Sequence, residues 1–124
     1  MHTTHEKRIL VVDDNHDAVE TMSMFLQISG YETSVAHDGY SACDAARASI
    51  PSAIIMDLGM PWMDGYEAAR TIRRMPGARE IPIIAVSGYS HPDAQKKAIA
   101  AGFTTHLTKP VNFDHLTRYL DEMA

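Results

Sequence analysis

The sequence is poor in cysteine. Cys43 stands alone, which excludes a disulfide framework and a thiolate cluster for zinc and fits a reduced, intracellular protein. It is also short of positive charge, with 11 lysines and arginines against 16 aspartates and glutamates, a formal net charge of -5 and a pI near 5.7. A surplus of anions argues against wrapping nucleic acid or lying on an anionic membrane. The opening "MHTTHEK" is polar and the apolar run behind it is too short for a signal-peptide core or a membrane span, so a cytoplasmic location is expected. Repeats, low-complexity tracts and linker-like stretches are missing as well. With 124 residues, 45% of them hydrophobic, the chain suits one folded domain over residues 7–124, preceded by a mobile tail of residues 1–6.

What is present is a regular alternation. Short apolar runs, "RILVV", "TSVA", "SAIIM", "PIIAVS" and "THLT", are separated by helical patterns. These predict a helix to about Gly30, one over Ser41 to Ala48, one from Tyr66, one over Asp93 to Ala101 and a last one to the chain end. Val/Ile/Leu runs without alternation belong to strands buried on both faces. Five strands and five helices in strict βα order therefore predict an α/β fold with one parallel sheet covered on both sides. Gly30 is placed to close the first helix with a left-handed residue. Asp64 with Glu67, and Ser90 with Asp93, have capping-box spacing. Leu116, Tyr119, Leu120 and Met123 predict a core-facing stripe. Tyr31, Tyr40, Phe103 and the methionines read as packing residues, and Arg70, Arg73 and Arg74 as a solvated helix face.

Residues just after parallel strands converge on one rim. Here the first strand runs into Asp13 and Asp14, the third into Asp57, the fourth into Ser87 and Gly88, and the fifth into Lys109 and Pro110. The rim would gather three carboxylates, a hydroxyl and an ammonium. Crowded carboxylates raise one another's pKa values unless a cation sits among them, and oxygen-only ligands suit Mg²⁺. A carboxylate can attack phosphorus, and phosphoryl transfer depends mainly on positioning and charge neutralisation. Taken singly, Asp14 could cap a helix, Asp57 could be a turn residue, Ser87 could bond nearby backbone and Lys109 could be a solvated charge. The four together at consecutive strand ends argue for one phosphoryl-transfer site.

Through "ILVVDDN", "IIMDLGMPWMDGYE", "IAVSGYS" and "HLTKPV", in this order, the chain resembles a response-regulator receiver domain from about Lys7 to Met123. The resemblance implies a flavodoxin-like, doubly wound five-stranded parallel sheet of order 2-1-3-4-5 with five helices, an order that comes from the family's chemotaxis members and not from the pattern. It implies that Asp57 accepts a phosphoryl group from a phosphohistidine on a histidine kinase or histidine phosphotransfer protein. Asp14 and Asp57 would ligate Mg²⁺ directly, Asp13 through water, and Gly59 through its carbonyl. Ser87 would be the hydroxyl that moves toward the phosphoryl oxygen, Lys109 its ion-pair partner, and the bond before Pro110 would be cis. Three residues before Lys109 the family usually has Tyr or Phe, whereas this chain has His106, a smaller polar ring that can charge near neutral pH. A strand-end histidine with no role is the equal alternative. Gly59 without a side chain and Tyr89 as a cover predict a long-lived phosphoryl group, and Trp62 in the loop after Asp57 should report Mg²⁺ or phosphate by fluorescence.

The expected function is a phosphorylation-controlled switch of a two-component phosphorelay, not an enzyme beyond its own phosphoryl transfer and slow autodephosphorylation. With the chain ending at the fifth helix, no output domain is expected. It would dock a downstream protein as a monomer or weak dimer, relay a phosphoryl group, or serve as the receiver of a hybrid kinase, toward which "HLTKPV" and His106 lean. A Mg²⁺-dependent phosphatase with an aspartate nucleophile would carry a second aspartate two residues on, but Leu58 and Gly59 follow Asp57. A flavodoxin-like electron carrier needs a Ser/Thr/Gly-rich loop where two anions stand. A phosphorylation-independent interaction module would not need the full acidic set and Lys109.

Overall fold

The computed structural model describes residues 7–58, 65–88 and 92–123. Its strands are β1 (Arg8–Val12), β2 (Glu32–Ala36), β3 (Ala53–Asp57), β4 (Ile83–Ser87) and β5 (Thr105–Thr108), and its helices are α1 (His16–Ile28), α2 (Gly39–Ala48), α3 (Gly65–Arg73), α4 (Pro92–Ala101) and α5 (Phe113–Met123). The strands form one sheet in the order β2-β1-β3-β4-β5, and every pairing is parallel.

Strand side chains alternate between faces, so each apolar run feeds two cores. Leu10, Val12, Ile54, Met56, Ile83 and Ala85 meet α2, α3 and α4 on one face. Ile9, Val11, Ile55, Ile84 and Val86 meet α1 and α5 on the other. This double burial is why β1, β3 and β4 read as continuous apolar runs. The edge strand β2, with Glu32, Ser34 and Val35 exposed, does not.

Local signals set the helix ends. Asn15 Oδ1 accepts from Ala18 N–H at 3.1 Å, Asp38 Oδ1 from Ser41 N–H at 2.7 Å and Asn112 Oδ1 from His115 N–H at 3.0 Å. Each oxygen satisfies one backbone donor that the helix leaves open. The Asp38 cap starts α2 at Gly39, two residues before the expected Ser41. Gly30 has φ 100°, its N–H reaching the Gln27 carbonyl while Tyr31 N–H reaches that of Leu26, a left-handed closure of α1. The expected capping residues Asp64 and Ser90 lie outside the described residues.

Three expectations need correction. In α5, Leu116 and Leu120 are buried, but Met123 in the last turn is 51% exposed. Tyr40 and Met24 are exposed and do not pack in the core, because both project from helix faces turned away from the sheet. Arg73 does not share the solvated face of Arg70 and Arg74. It donates from Nε to the Gly102 carbonyl (2.8 Å), from Nη1 to those of Ala78 (3.0 Å) and Ile81 (2.6 Å), and from Nη2 to Thr104 Oγ1 (3.1 Å).

Candidate functional site

Backbone hydrogen bonds hold the strands up to the point where the polar residues begin. Asp13 N–H donates to the Ala36 carbonyl at 3.2 Å, Leu58 N–H to that of Val86 at 3.1 Å and Lys109 N–H to that of Ser87 at 2.8 Å. The Lys109–Pro110 peptide is cis. On this rim the carboxylate oxygens of Asp13, Asp14 and Asp57 approach to within 4.8 Å of one another. Lys109 Nζ lies 3.7 Å from Asp57 Oδ2 and 3.9 Å from Asp13 Oδ2. The side chains of Asp13 and Asp57 are only 14% and 13% exposed, whereas Asp14 opens to solvent.

Ser87 ends β4, buried, with Oγ 2.8 Å from Nε2 of His106 on β5. Burial lowers the His106 pKa, which favours the neutral imidazole. Gly59, Trp62 and Tyr89 lie outside the described residues.

The site has neighbours that sequence reasoning missed. A Cβ on Gly65 would stand 2.6 Å from the Asp57 carbonyl oxygen and 3.0 Å from Leu58 Cα, so α3 can start against the end of β3 only with glycine there. Its sequence signal was the Asp-Gly step after the third strand. Asn15 N–H donates to Asp13 Oδ1 at 3.0 Å, orienting that carboxylate while the Asn15 side chain caps α1. His37 Nδ1 lies 3.3 Å from the Asp13 carbonyl oxygen, and its ring stacks on that of His16 with centroids 3.8 Å apart. No short-range pattern announces that contact, which joins residues on either side of β2. A cleft of about 630 Å³ opens beside Asp13, Asp57 and Lys109, with apolar walls from Met22 of α1 and from Val111 and Phe113 at the start of α5.

Residues 9–121 match the response regulator receiver domain family. The chain belongs to that family. Receivers of this kind are phosphorylation-controlled switches of two-component signalling, which agrees with the resemblance read from the motifs and with the strand order found. The structure is similar to that of the chemotaxis protein CheY4 of Vibrio cholerae, with 30% identity, a TM-score of 0.91 and coverage of 97% of this chain and 100% of that one. It is similar too to the receiver domain of the sensor histidine kinase PA1611 of Pseudomonas aeruginosa, solved with a magnesium ion coordinated in its active-site cleft, at 31% identity and a TM-score of 0.88 over 96% of this chain and 98% of that one. The transcriptional regulatory protein PrrA of Mycobacterium tuberculosis is 34% identical over 103 residues, which are 83% of this chain but 43% of PrrA. This receiver thus spans less than half the length of that regulator. Among its described residues no helix is long and apolar enough to cross a membrane.

The acidic rim of the receiver fits a hard divalent cation. Its clustered donors are all carboxylate oxygens, without imidazole or thiolate, and its charge is only partly offset by Lys109. The Asp13 carboxyl responds to its burial first. Burial above all, with the Asp57 charge and a hydrogen bond to Asp14 adding to it, pushes its pKa up to about 6 although Asn15 N–H and Lys109 pull it down.

That shift has a definite sign. A carboxyl whose pKa is higher folded than unfolded binds its proton more tightly in the folded state, so stability falls as pH rises between the two values. From the ordinary value of 3.8 to about 6, the metal-free receiver should lose up to about 3 kcal/mol. Urea unfolding in chelator at about pH 4.5 and about pH 7.5 should read about 2 kcal/mol of that loss, and Asp13→Asn should flatten it. An undiminished difference in that variant would remove Asp13 as its source.

Proposed function

We propose that this receiver takes a phosphoryl group from a phosphohistidine of a histidine kinase or histidine phosphotransfer protein onto Asp57, with Mg²⁺ as cofactor. Asp14 and Asp57 would hold the ion directly, Asp13 through water and Gly59 through its carbonyl. Bound there, Mg²⁺ supplies a Lewis-acid hold on a phosphoryl oxygen and neutralises charge. The chain's own residues do the rest. As a carboxylate oxygen of Asp57 bonds to phosphorus, the P–N bond to the donor imidazole breaks and its electron pair leaves with the nitrogen. Lys109 pairs with a second phosphoryl oxygen and Ser87 donates a hydrogen bond to another.

The observation that carries this reading is the Lys109 ammonium poised at 3.7 and 3.9 Å from Asp57 and Asp13 in a set of three carboxylates. It is a geometry for receiving a phosphate dianion beside a cation. The apolar cleft next to Asp57 gives the donor protein a surface on which to bring its imidazole close. The phosphoryl group on Asp57 then biases a pre-existing equilibrium that a downstream protein reads. The receiver turns over no substrate other than its own phosphoryl group, which it loses slowly. It works in the cytoplasm as a monomer or weak dimer, and its net charge of -5 favours protein partners over nucleic acid or membrane.

Incubation with acetyl phosphate and Mg²⁺, followed by intact mass, tests the reading. The chain should gain one phosphoryl group and Asp57→Asn none. Equal modification of Asp57→Asn would overturn the acceptor, and steady phosphate release without an accumulating adduct would favour a phosphatase.

A further inference from the structure

Parallel register pairs Ala85 with His106 and Ser87 with Thr108, so His106 reaches Ser87 diagonally across one face of the sheet. Nε2 of the ring is 2.8 Å from Ser87 Oγ. The other ring nitrogen, Nδ1, is buried and has no hydrogen-bond partner among the described residues. The neutral ring carries one N–H and one lone pair, which leaves two ways to make the observed bond. In one, the Ser87 hydroxyl donates to Nε2 and the ring proton is buried on Nδ1. In the other, Nε2–H donates to Ser87 Oγ and Nδ1 keeps only a lone pair. The first consumes the Ser87 proton. The second holds the oxygen and leaves the proton to point elsewhere.

We infer that His106 is a positioning residue for phosphorylation, its Nε2–H holding the Ser87 oxygen so that the Ser87 proton is presented to a phosphoryl oxygen on Asp57. The inference rests on the reading of Asp57 as acceptor and gives the imidazole a task that a phenyl ring at the same place could not perform. In the chain from Nε2–H through Oγ–H to the phosphoryl oxygen, each hydrogen bond polarises the next. A phosphoryl group therefore selects one of the two tautomers. Phosphorylation is recorded on the ring as the position of its proton, with no rotation of the side chain needed.

Phosphorylation rates with acetyl phosphate and Mg²⁺ would be compared for wild type, His106→Phe, Ser87→Ala and the double variant, together with His106→Gln, whose amide N–H can make the same bond. His106→Phe should slow the reaction by about five- to tenfold, the worth of one hydrogen bond. It should cost nothing more in the Ser87→Ala background, and His106→Gln should restore most of the rate. Ring ¹⁵N spectra of the phosphorylated protein should show the proton on Nε2. If the Ser87 and His106 losses multiply, if His106→Phe matches wild type, or if the proton stays on Nδ1, the inference is overturned while the receiver reading stands. Should His106→Phe not fold, His106→Gln and the ring spectra decide. A wild-type chain that gains no phosphoryl group would instead overturn the reading beneath, and this inference with it.

Discussion

Lys109→Ala is expected to slow the proposed phosphorylation of Asp57 by about two to three orders of magnitude, the range seen when a preorganised charge-stabilising group is removed, and the largest loss short of removing the proposed acceptor itself. The ammonium lies 3.7 Å from Asp57 and 3.9 Å from Asp13. An incoming phosphoryl group adds negative charge where three carboxylates already stand. Without Lys109 the ammonium that offsets those carboxylates is gone, and the pull that now lowers the Asp13 pKa is lost. Lys109→Arg keeps the charge but replaces a compact ammonium by a planar fork, so it should recover part of the rate and not all of it. Binding of Mg²⁺ should not weaken in Lys109→Ala, because losing a cation leaves the carboxylate set more anionic. Calorimetry with Mg²⁺ and intact-mass kinetics separate the two effects. A variant phosphorylated within a few-fold of wild type would show that Lys109 does not stabilise the transfer.

Arg73→Ala is expected to destabilise the fold by about 3 kcal/mol, because hydrogen bonds from a charged donor are each worth more than a neutral one and their loss leaves part-buried acceptors without a partner. Three of the four Arg73 bonds end on backbone carbonyls outside α3: Gly102 after α4, and Ala78 and Ile81 before β4. The fourth ends on Thr104 Oγ1, which also accepts from Ile83 N–H at 3.0 Å, so the guanidinium helps place β5 beside β4. A Cβ on Gly102 would lie 2.9 Å from Arg73 Cγ, and φ there is +109°, so the arginine stem crosses a spot that only glycine leaves open. For a domain of this size the loss should lower Tm by roughly 10 °C. Arg73→Lys should recover less than half, since one ammonium cannot span four acceptors laid out for a fork. A Tm within a degree or two of wild type in Arg73→Ala would show that water replaces these bonds without cost. Both this variant and Lys109→Ala should be tested in the presence and absence of Mg²⁺, so that loss of fold and loss of chemistry are read separately.

Arg73 also marks where sequence reading reached its limit. Arg70, Arg73 and Arg74 look alike along one helix, and nothing local says that Gly102 and Thr104 come across to meet one of them. The same holds for Ser87 and His106, whose bond depends on a diagonal between two strands. It holds for Gly65, whose need for a bare Cα arises from the Asp57 carbonyl pressing against it. The elements, by contrast, were legible because each leaves a periodic trace in its own segment. Val/Ile/Leu runs marked the central strands, and Gly30 marked the end of α1. Where the trace is weak, at Tyr40, Met24 and Met123, an apolar residue was assigned to the core and the structure places it at the surface.

By itself, then, the amino-acid order determined that five parallel-type strands alternate with five helices and that Asp13, Asp14, Asp57, Ser87 and Lys109 stand just at or past strand ends. Those are properties of short segments, set by side-chain periodicity and by the intolerance of a buried strand for bare charge. Only the tertiary structure decided which of these groups touch, that burial raises the Asp13 pKa, and that an imidazole meets the Ser87 hydroxyl. Charge coupling and hydrogen bonding change over a few ångströms, and those distances are set by how helices from distant parts of the chain press the strands into register.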